Sequence, residues 1–181
     1  MPDLDGQVHV WRANPSGDGD ALRRVLARYL DIPPETIELE AGPHGKPRLK
    51  GKTRLRFNLS HSADLAVIAV ALDREVGIDV ERIDPKRDAL ALAQRALSRE
   101  DADAVAAAAP EERPQIFHAA WAQHEAVVKC LGTGLATDSA ELARRREQLS
   151  VLPLDFGPEF TAALAVEGAA PSVRRFELEA Q

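Results

Sequence analysis

The chain has 181 residues, of which 45% are hydrophobic, and it carries a formal net charge of −6 at pH 7. This length allows one large domain or two small ones to bury a core, while the negative charge argues against a protein that coats nucleic acid. The single cysteine excludes an internal disulfide framework, and every apolar run is far shorter than the roughly 20 residues that a membrane span needs.

The first half of the chain combines several strand patterns with one helix pattern. Residues 1–5 lack the basic and apolar parts of a signal peptide, so we expect a cytoplasmic protein. The predicted elements then follow as strand 7–11, turn 15–20, helix 21–30, strand 36–40, loop 42–47 and strand 56–59. The apolar run 65–72 predicts a strand that is buried on both faces. The polar residues 73–75 turn this run back into strand 76–81, so we predict a hairpin.

The second half is mainly helical before it returns to strands. Helix 89–97 comes first, and a second helix begins after Ser98, whose hydroxyl can cap it. The longest periodic segment, 114–131, predicts a helix that the following glycines stop. The strands predicted after it are 149–152, 160–166 and 173–178.

A weak internal repeat relates the two halves of the chain. In 58–70 and again in 153–166, a turn is followed by a buried apolar strand. We therefore predict an α+β fold of two similar α/β subdomains, residues 1–84 and 85–181, each with a mainly antiparallel sheet and a long helix. A pseudo-twofold axis would relate them, and we expect the active site at their interface. The interface between the two subdomains would then lie within one molecule, where an unduplicated chain would need a dimer to form it. We therefore expect a monomer.

Two short segments place three carboxylates and one lysine at informative spacings. Side chains alternate along a strand, so Asp79 and Glu81 project to one face while their neighbours point into a core. Positions four apart share one face of a helix, which puts Trp121, Glu125 and Lys129 on one stripe. Oxygen ligands of this kind suit a Mg²⁺ ion that carries a pyrophosphate. Taken alone, an acid pair on a strand is more often simply exposed to solvent.

Basic residues concentrate between positions 46 and 56, where every even position is a lysine or an arginine. In an extended chain these six side chains would form one cationic face. Two interpretations stay open for this face. Charge runs are commonly the solvated outer side of a hairpin, but this one leads directly into 58–62 and could receive an anionic ligand.

Four motifs follow one another at suitable separation. They are Gly45-Lys46-Pro47, Asn58-Leu59-Ser60-His61-Ser62, Gly77-Ile78-Asp79-Val80-Glu81, and a helical segment from Trp121 through Glu125 and Lys129 to Gly132, Gly134 and Leu135. Together they resemble the signature of the Sfp-type 4′-phosphopantetheinyl transferases. The resemblance covers residues 21–135 well and the C-terminal strands more loosely.

The resemblance implies that the 4′-phosphopantetheine arm of coenzyme A is transferred to a serine of an apo acyl or peptidyl carrier protein, with release of 3′,5′-ADP. It also implies that Asp79, Glu81 and Glu125 are the Mg²⁺ ligands. Glu125 would take the proton from the carrier serine as a general base, and Lys129 would stabilise the departing ADP phosphate. Neither nucleic acid nor a membrane is expected as a partner.

Further residues are implied as contacts to coenzyme A. The implied contacts are Lys46, Arg48, Ser60, His61, Asp79 and Lys129. For two of them a structural alternative stays open. Ser60, together with Ser62, could satisfy the backbone of a turn, and His61 could be a hydrogen-bonded core histidine. Trp121 is expected to pack the helix against the sheet.

The chain departs from the family pattern at two places. Members usually carry lysine before the helical glutamate, and here that position is His124, a weaker cation that we also expect at a phosphate. The region before the first helix is acidic where relatives are basic, which leaves Arg23 or Arg24 for the 3′-phosphate. These departures keep open a catalytically impaired module that only binds coenzyme A or a carrier protein. A metal-dependent phosphodiesterase is a third interpretation, although the net charge disfavours nucleic acid as its substrate.

Overall fold

The structure is a computed structural model that describes residues 4–14, 20–134 and 139–179. Most of the predicted turn at 15–20 lies outside the described residues, as does Leu135. The helices are α1 Asp20–Leu30, α2 Ala89–Ala96, α3 Arg99–Ala107, α4 Arg113–Leu131 and α5 Ser139–Arg146. The strands are β1 Gln7–Ala13, β2 Leu39–Ala41, β3 Pro47–Leu49, β4 Leu55–Ser62, β5 Leu65–Leu72, β6 Val76–Arg82, β7 Leu149–Leu154, β8 Phe160–Glu167 and β9 Ser172–Glu177. β2 and β3 form a small antiparallel pair.

The first large sheet has the strand order β4-β5-β1-β9. Its pairs are antiparallel except for β1 with β9, which run parallel. Strand β5 is apolar along its whole length because both of its faces are covered. Ile68 and Val70 share a core with Leu22 and Leu26 of α1, and Val67 points to the second sheet. This confirms the prediction of a strand buried on both faces.

The second sheet, of order β6-β8-β7, is antiparallel throughout. Helix α4 packs against one face of this sheet. Four small side chains lie in this contact, Ala122 and Ala126 on the helix and Ala163 and Ala165 on β8. Because these side chains are short, the helix axis can come close to the strands. The opposite face, which includes Ile78, packs against the first sheet.

The predicted hairpin between strands 65–72 and 76–81 is wrong. Both edges of β5 are already paired, with β4 on one side and β1 on the other, so β6 cannot join it as a third partner. The turn at 73–75 instead carries the chain into the second sheet, where β6 pairs with β8. Alternation along the sequence indicated both strands but carried no information about which strand each would pair with.

Strand pairing crosses the predicted boundary at residue 84. β6 lies before that boundary but belongs to the sheet of β7 and β8, and β9 returns from the end of the chain to pair with β1. The two sheets also share an apolar core, in which Val8 and Val10 of β1 meet Ile78 and Leu164. The molecule is therefore a mixed α+β fold with mainly antiparallel sheets, and its division into 1–84 and 85–181 stays a prediction.

The helices predicted for the second half are confirmed. Ser98 caps α3, because its hydroxyl accepts a hydrogen bond from the amide of Asp101 at 3.1 Å. Helix α4 ends at Gly132, which adopts a left-handed conformation with a φ of 62°. The strand predicted at 36–40 is confirmed only in part, because a 3-10 turn precedes it and the strand begins at Leu39. Within the described residues, none of the helices is both long enough and apolar enough to cross a membrane.

Candidate active site

Strand β6 presents its two acidic side chains to helix α4. Ile78 and Val80 are buried in the core between the sheets, so Asp79 and Glu81 project from the opposite face, as the alternation predicts. Gly77 lies on that same face, where a β-carbon would stand only 2.1 Å from the helix backbone. Because Gly77 has no side chain, the strand and the helix can touch at this point.

Helix α4 presents three polar side chains to strand β6, and the helix and the strand run in opposite directions along this interface. The ammonium of Lys129 lies 2.5 Å from Oδ1 of Asp79, and the indole N–H of Trp121 donates to Oε1 of Glu81 at 3.2 Å. Glu125 is one helical turn from each of these residues and so lies between the two contacts. The predicted helical stripe therefore faces the predicted acid pair, and one strand–helix interface brings all five residues together.

Asp79 is the most buried of the three carboxylates, with 3% of its surface exposed. Its Oδ1 accepts hydrogen bonds from Lys129 and from the hydroxyl of Ser60, the latter at 2.8 Å. Its Oδ2 is buried and has no hydrogen-bond partner among the described residues. Burial raises the pKa of this carboxyl above its ordinary value, and the neighbouring Lys129 opposes the shift.

The other two carboxyl groups are perturbed in the same direction. Burial raises the pKa of Glu81, and the charge of Asp79 adds to the shift. Burial also raises the pKa of Glu125, where Lys129 opposes the shift and Asp79 adds to it. Oε1 of Glu125 is buried and lacks a hydrogen-bond partner within the described part of the chain. Carboxyl groups that disfavour each other's charge form a site that a cation complements.

These carboxylates do not form a closed metal cluster. Among the residues that the structure describes, no group of three or more histidine, cysteine, aspartate or glutamate side chains is placed to hold a metal ion. The ammonium of Lys129 lies on Asp79 instead. The residues nevertheless fit Mg²⁺ in their chemistry, because the ion prefers oxygen ligands and the buried oxygens of Asp79 and Glu125 need a partner. The ligand set Asp79, Glu81 and Glu125 stays a prediction.

The predicted cationic face at 46–56 is wrong. The segment is not one extended strand, because β3 ends at Leu49 and β4 begins only at Leu55. Five of its six basic side chains are paired with acids. The pairs are Lys46 and Arg56 with Glu75, Arg48 with Glu40, Lys50 with Glu38, and Arg54 with Asp73. The charge run was visible in the sequence, but the acids that neutralise it come from other parts of the chain.

Lys46 and Arg48 line a cavity of about 640 Å³ between β3, the start of β4 and the end of α4. The ammonium of Lys46 donates to Glu75 and to the backbone carbonyl of Val76, both at 3.0 Å, which ties β3 to the beginning of β6. Arg48 pairs with Glu40 at 3.0 Å and is largely exposed. Both cations that the resemblance assigns to the nucleotide phosphates thus lie at this cavity, each already paired with an acid.

Ser60 and His61 lie on opposite sides of β4. Ser60 is buried, and its hydroxyl oxygen is 3.2 Å from the ammonium of Lys129, so this residue joins the acid site. It accepts a hydrogen bond from an amide of β6 rather than from a turn, so the alternative of a turn-satisfying serine is wrong. His61 is exposed, which excludes a core histidine. Its contact to a phosphate stays a prediction.

The other three residues predicted to contact coenzyme A are Arg23, Arg24 and His124. The two arginines are hydrogen-bonded elsewhere, and the histidine is less basic than a lysine. Arg23 and Arg24 lie on α1 and donate to backbone carbonyls at 3.4 Å and 2.6 Å. His124 stacks on Trp121 with 5.7 Å between the ring centroids. Burial lowers the pKa of His124, so the neutral imidazole is favoured near neutral pH. The structure therefore does not bring the two arginines to the acids, and their phosphate roles stay predictions.

Sequence reasoning named Asn58 and Ser62 within a motif but did not predict their contacts to the acid strand, and it missed one contact at the site itself. The side chains of Asn58 and Ser62 accept hydrogen bonds from two amides of β6, at 2.8 Å and 3.0 Å. The signal that could have found them is the alternation of polar side chains along 58–62. Trp121 packs against Phe117 of its own helix, in a cluster with side chains of α2 and α3. Packing is thus confirmed, but the predicted packing against the sheet is not. The indole N–H of Trp121 also holds an acid, which a packing role alone does not foresee.

The fold and this interface define an α+β protein with a buried carboxylate–lysine site between a strand and a helix. Residues 75–166 match the family model of the 4′-phosphopantetheinyl transferase superfamily. The matched span is more than half of the 181 residues. The chain belongs to this superfamily.

Several curated relatives are named for this activity. The 4′-phosphopantetheinyl transferase HetI of Nostoc is 35% identical over 118 residues, which are 64% of this chain and 50% of the relative. The enzyme AcpT of Salmonella typhi is 36% identical over 112 residues, or 62% of this chain and 57% of the relative. The human L-aminoadipate-semialdehyde dehydrogenase-phosphopantetheinyl transferase is 30% identical over 147 residues, or 75% and 47%. The chain spans about half the length of the curated relatives it matches.

Proposed function

We propose that this protein is an Sfp-type 4′-phosphopantetheinyl transferase that moves the phosphopantetheine arm of coenzyme A onto a serine of an apo acyl or peptidyl carrier protein. The reaction depends on Mg²⁺ and releases 3′,5′-ADP. One observation carries the proposal: Asp79 and Glu81 on β6 face Glu125 and Lys129 on α4 across a single interface. Membership of the superfamily supports the reaction class. In this proposal the site lies between two subdomains related by a pseudo-twofold axis.

The three carboxylates of the interface are the proposed Mg²⁺ ligands. Asp79, Glu81 and Glu125 would hold the ion, which neutralises charge on the pyrophosphate of coenzyme A when bound. Two neighbours orient these ligands, since the Ser60 hydroxyl donates to Asp79 and the Trp121 indole donates to Glu81. Such supporting hydrogen bonds are a general requirement of metal sites.

Glu125 is the proposed general base. Its raised pKa makes its carboxylate more basic than that of an exposed glutamate, and the residue is only partly buried in the middle of the interface. It accepts the proton of the carrier serine as the serine oxygen bonds to the β-phosphorus of coenzyme A. The bond from that phosphorus to the bridging oxygen breaks, and 3′,5′-ADP leaves.

Lys129 is the proposed stabiliser of the leaving phosphate. In the structure its ammonium lies on Asp79 and within 3.2 Å of the Ser60 hydroxyl oxygen. Its side chain is 28% exposed, so it can turn from the carboxylate towards a bound phosphate. A positive charge placed where negative charge develops is the main source of rate acceleration in phosphoryl transfer.

The nucleotide end of coenzyme A is proposed to lie at the cavity beside β3. Its phosphates would replace the acids that now pair with the basic side chains of the cavity, because a phosphate offers a stronger bidentate partner than an exposed carboxylate. The residues proposed as coenzyme A contacts are Lys46, Arg48, Ser60, His61, Asp79, His124 and Lys129, with Arg23 or Arg24 at the 3′-phosphate.

The carrier protein is proposed to approach from the side of helix α5. Three consecutive arginines, 144–146, form the last turn of this helix, and Arg144 and Arg146 are exposed. A carrier with an acidic surface would complement them and would be steered towards the neighbouring end of the site. We expect the enzyme to work as a monomer in the cytoplasm.

The test is a labelling assay with Mg²⁺, coenzyme A and an apo carrier protein, followed by mass spectrometry of the carrier. We expect the carrier to gain the mass of one phosphopantetheine group, and Asp79→Ala and Glu125→Gln to abolish the gain. Glu112→Gln, at the exposed start of α4, is the matched control and should label normally. Coenzyme A binding without any mass gain would refute the proposal and favour the impaired binding module that His124 and the acidic N-terminal region left open.

A further inference from the structure

Strands β4 and β6 lie side by side at the junction of the two sheets. β4 is an edge of the first sheet and β6 an edge of the second, and no backbone ladder joins them among the described residues. Side chains of β4 accept hydrogen bonds from amides of β6 instead. The bonds run from Ile78 to Asn58 at 2.8 Å, from Val80 to Ser60 at 3.4 Å and from Arg82 to Ser62 at 3.0 Å. Donors and acceptors both alternate at a constant offset, so the two strands run parallel.

These three acceptors, Asn58, Ser60 and Ser62, form a side-chain ladder. The hydroxyl of its middle member, Ser60, has all of its hydrogen-bonding sites occupied. A hydroxyl has one donor and two acceptor sites. Ser60 donates to Asp79 and accepts from the amide of Val80 and the ammonium of Lys129. Its bond to β6 is also the longest of the ladder at 3.4 Å. Ser60 therefore serves the acid site and holds the strand only weakly.

The inner member of the ladder, Asn58, makes the strongest contact to β6. Its side-chain oxygen lies 2.8 Å from the amide of Ile78, and both residues are buried, at 4% and 0% exposure. Without this acceptor the amide would be buried and unsatisfied, which is costly enough to move the strand. The next residue along β6 is Asp79. A shift of the strand would displace that carboxylate from Ser60 and Lys129.

We propose that Asn58 is a positioning residue that sets Asp79 in register with Ser60 and Lys129. It touches neither substrate nor metal and acts through the backbone of β6. Its effect on metal binding and transfer rests on the proposed function. Ser62 is the natural control, because it lies at the partly exposed outer end of the ladder, where water can replace it at the exposed Arg82.

The experiment compares three variants by thermal unfolding, by Mg²⁺ titration calorimetry without coenzyme A, and by the labelling kinetics. Asn58→Leu keeps the size of the side chain and removes the acceptor, Asn58→Ser restores an acceptor oxygen, and Ser62→Ala removes the outer acceptor. For Asn58→Leu we expect Mg²⁺ affinity to fall by about 10–100-fold and kcat by about 100-fold, with a smaller change in the KM for coenzyme A. Asn58→Ser should recover most of both losses, and Ser62→Ala should match the wild type.

A folded Asn58→Leu protein with wild-type Mg²⁺ affinity and kcat would overturn the inference. So would a loss of affinity and kcat in Ser62→Ala as large as that in Asn58→Leu, or a failure of Asn58→Ser to recover either quantity. If Asn58→Leu does not fold, Asn58→Ala, which leaves room for a water at the amide, takes its place with an expected loss of about 10-fold. Wild-type protein that binds Mg²⁺ but labels no carrier refutes the proposed function and leaves this role of Asn58 testable by affinity. Wild-type protein that binds no Mg²⁺ refutes both.

Discussion

Replacement of Gly77 by alanine tests how the strand and the helix create the site. A β-carbon at this position would lie 2.1 Å from the carbonyl oxygen of Ala126 and 2.3 Å from the amide nitrogen of Cys130. Both atoms belong to the backbone of α4, so no side-chain rotation can relieve the contact. To restore an ordinary contact distance of 3.4 Å, the helix must move away from β6 by about 1.3 Å.

The expected loss of stability in Gly77→Ala follows from two opposing effects. Overpacking costs about 1–3 kcal/mol, and the upper end applies because a helix backbone must yield. Gly77 is not among the glycines with positive φ, so alanine fits the strand and restricts the unfolded chain, which stabilises the fold by about 0.4–1 kcal/mol. The net loss is about 2 kcal/mol. With a urea m value of about 2 kcal/mol/M, the midpoint of unfolding falls by about 1 M.

Urea unfolding followed by circular dichroism measures this midpoint, and the labelling assay measures the functional effect. Since α4 carries Glu125 and Lys129, its displacement should lower transfer by about 100-fold, as misplacements near 1 Å commonly do. Gly157→Ala is the control for a loss of stability away from the site, because its β-carbon would meet no described atom within 4 Å but its φ of 102° strains alanine. It should lower the midpoint and leave the transfer rate unchanged. If Gly77→Ala keeps both the wild-type midpoint and the wild-type rate, the close contact does not set the site.

Three further predictions concern the acids and their partners. Lys129→Gln removes the ammonium that lies on Asp79, so Mg²⁺ should bind more tightly in the absence of coenzyme A. Transfer should nevertheless fall by about 100-fold, because the charge that stabilises the leaving phosphate is lost. A calorimetric Kd for Mg²⁺ equal to or weaker than that of the wild type contradicts this. Trp121→Phe keeps an aromatic ring but loses the hydrogen bond to Glu81. Mg²⁺ affinity should therefore fall about 10-fold, while the circular dichroism spectrum stays the same. An unchanged affinity argues against an orienting role of Trp121. The raised carboxyl pKa values mean that the folded state holds protons more tightly than the unfolded state, so the stability from these groups is complete below their ordinary pKa values of 3.8 and 4.5 and is lost as the pH rises through the raised ones. Because Mg²⁺ needs ionised carboxylates, the gain in Tm on adding Mg²⁺ should grow as the pH rises above the ordinary carboxyl pKa values, and it should grow less in Glu125→Gln. A gain that is independent of pH would exclude these acids as ligands.

Local patterns in the sequence predicted most of the elements. The uninterrupted apolar run at 65–72 is a strand buried on both faces, and the long periodic segment is helix α4, which stops at Gly132. Ser98 caps α3 as its spacing predicts. These features depend on a residue and its neighbours within one turn or one strand, so the sequence contains the information directly.

The composition of the candidate site was also predictable, because periodicity decides which side chains share a face. Alternation puts Asp79 and Glu81 on one side of β6, and the four-residue spacing puts Glu125 and Lys129 on one side of α4. The neutralisation of the basic residues at 46–56 was not predictable, since the acids that pair with them lie in other parts of the chain. A charge run shows what a segment carries but not what faces it.

The sequence by itself determined the elements, the faces of those elements and the chemistry of the side chains at the site. The tertiary structure alone decided that β6 pairs with β8 rather than β5, that Lys129 rests on Asp79, and that Asn58 supports the acid strand from the neighbouring sheet. The physical reason is that periodicity is a local property, whereas partners depend on which strand edges remain unpaired and which surfaces can approach closely. That approach depends here on a single glycine, Gly77, whose meaning appears only when the helix lies against it.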